Sequence, residues 1–243
     1  MAIALDDVEP FLPCISDLGV EPPESSLFSL FMNCGSFSIL FFVLIRFEAM
    51  KTLIEENRNH LTADKKLMKV WNRCSIISGI FMVIGFLIVS NFQNSEGKFV
   101  QTAHNVGAIL GFFSAVVDMS FQNRLSFGLS FDSTGRFQRF LSLFILLLAV
   151  AYYSLSIWSY ELHSKALLNE KARLKWNSNQ DGYVVHVVSN TMEWVLVLSL
   201  GSYFFSFVGQ LKRFSLSKQL LVSIVSKRTV LAKERQISRE SIV

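Results

Sequence analysis

Residues 74–92 read CSIISGIFMVIGFLIVSNF, nineteen positions without a charge. In a helix rising about 1.5 Å per residue, a run of this length crosses most of a hydrocarbon core ~30 Å thick. Lipid offers backbone amides no partner, so such a run is read as a helix that bonds within itself. Residues 27–45 and 140–160 are equally free of charge. Residues 100–121 and 183–208 are long enough as well, but the first holds His104 and Asp118 and the second His186 and Glu193. The sequence therefore predicts an all-α, polytopic membrane helix bundle with five transmembrane helices.

Composition points the same way. Of 243 residues, 51% are hydrophobic and 17% charged, against roughly 25% charged in an ordinary soluble domain, and mean hydropathy is +0.40. A disordered chain, a collagen or a coiled coil is excluded by these figures. The three cysteines, Cys14, Cys34 and Cys74, are odd in number and far apart, which excludes a disulfide framework and a CxxC metal site. No HExxH, GxSxG or Walker pattern occurs. His60 and His163 fall in loops, whereas a zinc site wants three or four ligands. No catalytic residue, metal, cofactor or nucleic-acid partner is expected, and the chain is read as a non-enzyme whose first partner is the bilayer.

Lys and Arg accumulate on the cytosolic side of membrane proteins. Residues 1–45 contain neither, while Asp6, Asp7, Glu9, Asp17, Glu21 and Glu24 make that stretch acidic. Seven cations follow in residues 46–73, three in residues 122–139 and eight after Val208; the intervening loops hold one, Lys98, and four, between Lys165 and Lys175. The N-terminus is expected to be lumenal and the C-terminus cytosolic. This divides the chain into a lumenal segment, 1–26, a five-span bundle, 27–209, and a basic cytosolic tail, 210–243.

Four stretches carry a resemblance. Pro10-Phe11-Leu12-Pro13-Cys14-Ile15-Ser16-Asp17 with Pro22-Pro23-Glu24, Asn91-Phe92-Gln93 with His104, Lys175-Trp176-Asn177, and Gly182-Tyr183-Val184-Val185-His186 with Glu193-Trp194 resemble, in order and spacing, the damage-regulated autophagy modulator (DRAM) family. The last lumenal loop and last span look most like its second vertebrate paralogue, and the resemblance covers about residues 10–217. It implies a protein of lysosomal or endosomal membranes that promotes autophagy and influences cell death. It also marks Asp17, Pro22, Pro23, Glu24, Asn91, Trp176 and Asn177 as lumenal motif residues. The family pattern has six spans, the first ahead of the Pro-Phe-Leu-Pro stretch, where this chain has nine residues; that helix is expected to be missing here.

A charge at mid-bilayer costs about 2.5–3.5 kcal/mol on insertion scales. His104 and Asp118 lie near the ends of their run, where the cost is small, but Glu193 lies deep. His186 and Glu193, seven apart, share a helix face. His104, His186 and Glu193 are thus a candidate polar cluster facing the bundle interior. One reading gives it a lipid headgroup, a proton relay or an acid/base step, so a lipid-remodelling enzyme or factor using His186 and Glu193 is the rival function. The other makes these groups hydrogen-bonding glue between helices. A transporter or channel subunit ranks lower, because no span is broken by Gly and Pro.

Ala103, Gly107, Gly111 and Ala115 recur at four-residue steps and form a small-residue ridge for close helix packing, within the chain or between copies. Pro22-Pro23 is expected to hold the chain extended ahead of the first span, with Glu24 at the positive end of a helix dipole. Trp176 and Tyr183 read as interfacial anchors. In the tail, Leu216, Leu220, Leu221 and Ile224 approximate one face among Lys218, Lys227, Arg228, Lys233 and Arg235. Such a helix would lie on anionic lipids, with ~1 kcal/mol per cation; the alternative is a solvated tail that only follows the positive-inside rule. Glu240-Ser241-Ile242-Val243 has the terminal pattern, Ser241 to Val243, that PDZ grooves accept.

Overall fold

The computed structural model describes residue 8 and residues 11–56, 62–93, 97–129, 132–165, 174, 176 and 178–208. Among the described residues there is no strand. Five helices are long and apolar enough to cross a membrane: α1 (Glu24–Glu56), α2 (Thr62–Asn91), α3 (Lys98–Gly128), α4 (Asp132–Lys165) and α5 (Tyr183–Ser206). The five-helix expectation holds. Residues through Ser206 form one compact unit; the chain from Phe207 on is a second, of which Phe207 and Val208 are described. The basic tail, its lipid-binding face and the terminal PDZ-type pattern at Ser241 and Val243 lie outside the described residues, as does Asn177.

The helices outrun the apolar stretches that announce them. α1 has 33 residues, α3 31 and α4 34, so each is about 45–50 Å long. Arg46, counted above among loop cations, is in fact helical, and only 1% of it is exposed. Nothing at residue 46 stops a helix: no Gly or Pro follows, and hydrogen bonding continues to Glu56. At its start, α1 departs from expectation in another way. The Pro22–Pro23 bond is cis and the pair forms a turn rather than an extended lead-in. The carbonyls of Glu21 and Pro23 accept from Ser25 and Ser26 as the helix begins.

α2 packs most extensively on α3, α4 on α5, and α1 on α2. The α2–α3 pair is close because glycine meets glycine. A Cβ on Gly85 of α2 would stand 2.3 Å from the backbone nitrogen of Gly111 and 2.7 Å from the carbonyl oxygen of Gly107. Of the small-residue ridge, Gly107 lies against Ile88, Gly111 against Phe86, and Ala115 is buried. Large apolar side chains point outward: Phe31, Phe113 and Phe205 are 71%, 67% and 77% exposed, as suits a surface solvated by lipid rather than water. Polar groups, by contrast, gather inside.

Candidate functional site

The bundle end that holds the start of α1 is closed by the N-terminal segment, which docks on α5. Asn190, Glu193 and Trp194 stand at i, i+3 and i+4 and so share one face of that helix. The Asn190 amide donates to the Leu12 carbonyl at 3.1 Å and the Trp194 indole to the Pro13 carbonyl at 3.0 Å. Glu193 Oε2 accepts from the Ile15 backbone N–H at 2.8 Å and from the Cys14 thiol at 2.9 Å. Its other oxygen accepts from the Tyr152 hydroxyl of α4 at 3.4 Å. Glu193 lies ten positions into α5, about 15 Å along its axis. Irregular backbone is tolerated at such depth only where protein supplies its hydrogen bonds, and three side chains of α5 do so for this strap. Leu12 adopts φ 46°, a left-handed conformation that strains an L-residue with a side chain; the Asn190 contact holds it there. Burial pushes the Cys14 thiol well above the ordinary range, and the Glu193 and Asp17 carboxylates push it the same way.

His186 is one turn above. Its Nε2 lies 3.1 Å from Asn190 Nδ2. Because the Leu12 carbonyl can only accept, the Asn190 amide nitrogen faces it, and that nitrogen then requires His186 Nε2 to be an acceptor too. The Trp176 ring lies on the imidazole, centroids 4.6 Å apart, and Trp176 is 3% exposed. Trp176 is therefore a buried lid on His186 and not the interfacial anchor expected from its position.

His104 sits on another element. Its Nδ1 is 2.7 Å from the carbonyl of Phe92, just past the end of α2, where helical carbonyls have no partner of their own. The same helix end is tied further. Ser29 of α1 donates to the Ser90 carbonyl at 2.6 Å, Asn91 donates to the Leu87 carbonyl at 2.7 Å, and Asn33 and Asn91 bond each other. Asn91 and His104 thus work together as a cap on α2, while His186 and Glu193 serve the strap. Beside the strap, Asp17 begins a one-turn 3-10 helix, Asp17–Gly19, and is buried. Glu24 is buried as the first residue of α1, and its carboxylate oxygens have no hydrogen-bond partner among the described residues.

Toward the opposite end of the bundle, Arg46 of α1 meets Asp118 of α3, Nη2 to Oδ1 at 2.6 Å, with both side chains at most 2% exposed. Ser75 of α2 completes the junction. Its hydroxyl accepts from Arg46 at 3.1 Å and from Gln122 at 2.6 Å, and donates to Asp118, so all its hydrogen-bonding capacity is used. Sequence reading placed Asp118 near an interface at little cost; it is instead a buried carboxylate made tolerable by an arginine 72 positions away. Nor did it single out Cys14, Tyr152 or Asn190 in these roles. The available signal was the polar i, i+3, i+4 face of α5, more than His186 on the same helix can satisfy. Among the described residues no group of three or more His, Cys, Asp and Glu is placed to hold a metal ion.

The chain resembles known proteins over most of its length. A family model described as the Frag1/DRAM/Sfk1/Cwh43P N-terminal domain matches residues 1–214. DNA damage-regulated autophagy modulator protein 2 of Homo sapiens is 27% identical over 217 residues, covering 88% of this chain and 77% of the relative. DNA damage-regulated autophagy modulator protein 1 of Homo sapiens is 28% identical over 208 residues, 86% of this chain and 81% of the relative. Transmembrane protein 150A of Homo sapiens is 32% identical over a shorter span, 51% of this chain and 38% of the relative. No solved structure matches.

Proposed function

The chain belongs to the Frag1/DRAM/Sfk1/Cwh43P family, and on that premise we propose that it is a non-enzymatic modulator that promotes autophagy, and influences cell death, at lysosomal or endosomal membranes. The observation that carries the reading is its likeness, over 86–88% of its length, to proteins named as autophagy modulators. The geometry supports the non-enzymatic part. The Glu193 carboxylate spends its oxygens on the strap and Tyr152, as a latch would, rather than holding them toward an open substrate site. The cation asymmetry supports a lumenal N-terminus and a cytosolic C-terminus, with the tail lying on anionic lipid.

The test is expression of the tagged full chain in cells from which the endogenous copy has been deleted. Expected are a fluorescent signal on lysosomal or endosomal membranes and restored autophagic flux, with protease shaving of sealed vesicles removing the C-terminal tag and sparing the N-terminal one. Glu193→Gln keeps an acceptor for the strap, so flux should persist. Loss of lipid turnover in that variant, with the strap still docked, would overturn the non-enzymatic reading.

A further inference from the structure

At the bundle end opposite the strap, a cleft of about 430 Å³ opens between α2, α3 and α4, lined by Leu67, Met68, Trp71, Phe127, Arg124 and Arg139 together with Asn123, Gly128 and Asp64. That volume is in the ~300–1,000 Å³ range of ligand-binding pockets. The walls are mostly apolar, yet two guanidiniums border them. Arg124 lies over the Trp71 ring at 5.8 Å and Arg139 over the Phe127 ring at 5.7 Å. Aromatic stacking engages the face of a guanidinium and leaves its N–H edge free to donate. Arg139 Nε is taken by the Gly135 carbonyl at 3.3 Å, which leaves its two terminal nitrogens. Neither arginine is among the ion pairs of the described residues, whose carboxylates are Asp118, Glu48 and Glu55. Asp64 is the one acid among the lining residues.

We propose that this cleft binds an anionic phospholipid, whose phosphate is held between Arg124 and Arg139 and whose acyl chain lies along Leu67, Met68 and Trp71. The argument is charge complementarity beside an apolar channel at the ends of membrane-spanning helices. A soluble anion would not need the apolar wall, and a lipid without net charge would leave the excess of two guanidiniums over the one Asp64 carboxylate uncompensated. Arginine forks fit phosphate oxygens in a bidentate way, and basic pockets between transmembrane helices are suited to anionic headgroups. On the sidedness proposed above, the cleft faces the leaflet that is rich in such lipids, although the chemistry does not depend on it. The inference stands whether or not the chain modulates autophagy.

The test uses the full chain in phosphatidylcholine nanodiscs doped with phosphatidic acid brominated on its acyl chain. Trp71 fluorescence, isolated as the difference between the protein and its Trp71→Phe variant, should be quenched. Brominated phosphatidylcholine should quench it far less. Arg124→Gln with Arg139→Gln should weaken the effect on the order of tenfold. Arg124→Lys with Arg139→Lys, which keeps the charge but not the fork and guards against misfolding, should fall between the parent chain and the glutamine pair. Neutralising Lys227, Arg228, Lys233 and Arg235 in the tail should leave the quenching intact. Equal quenching by the neutral and anionic lipids, or its reversal by inorganic phosphate at millimolar levels, would overturn the assignment, the second result reducing the cleft to a free-anion site.

Discussion

Arg46 illustrates what a single residue conceals. Counting cations along the chain puts it in a loop, because it follows directly on an uncharged run. Only the fold shows that it turns inward, 2.6 Å from Asp118. Removing one partner of a buried ion pair typically costs about 3–5 kcal/mol, while replacing both with apolar groups of similar volume is often neutral. Asp118→Leu should therefore lower the thermal unfolding midpoint in detergent sharply, and Arg46→Met with Asp118→Leu should recover most of the loss. A double variant no better than the single one would count against a pair in mutual dependence. Cys14 makes a second test. Its folded pKa lies above the unfolded one, so the thiol's contribution is complete below the ordinary value of about 8.5 and is lost as pH rises through the raised value. In a Cys34→Ala, Cys74→Ala background, maleimide labelling of Cys14 should be slow at neutral pH and accelerate only well into the alkaline range. Fast labelling at neutral pH would contradict the raised pKa and the thiol's hydrogen bond to Glu193.

At the scale of helices, α2 and α3 were legible as spans, and the ridge on α3 could be marked from its four-residue rhythm. Its opposite number could not. Gly85 is one glycine in an apolar run, and nothing local tells it from Gly35, around which the structure is open within 4 Å. The two therefore predict opposite behaviour. Gly85→Ala forces its new carbon against the backbone of Gly111 and should destabilise by about 1–3 kcal/mol. Gly35→Ala meets nothing and should stabilise α1 by up to ~1 kcal/mol. Parallel melts of the two variants check this, and equal midpoints would refute the close contact. The strap yields a similar contrast. Asn190→Leu leaves the Leu12 carbonyl without its donor, so trypsin-independent proteases such as proteinase K should cut residues 11–16 faster than in the parent chain, while α5 itself stays resistant.

For the molecule as a whole, helix number was readable because lipid imposes one length and one polarity on every span, a constraint that repeats five times along this chain. What ties the spans together was not, since each decisive contact joins residues far apart in sequence: 72 positions for Arg46 and Asp118, 178 for Ile15 and Glu193. Composition reports which solvent a segment prefers; it is silent on which polar group answers which. The strap's long reach also bears on biogenesis. Leu12, Cys14 and Ile15 leave the ribosome while the residues that will hold them are still untranslated, and they stay unpartnered until the fifth helix has been released by the translocon. Docking is thereby a signature of completed synthesis: a nascent chain stalled short of residue 190 should expose its leading segment to chaperones and proteolysis, and one whose fifth helix has left the translocon should withdraw it.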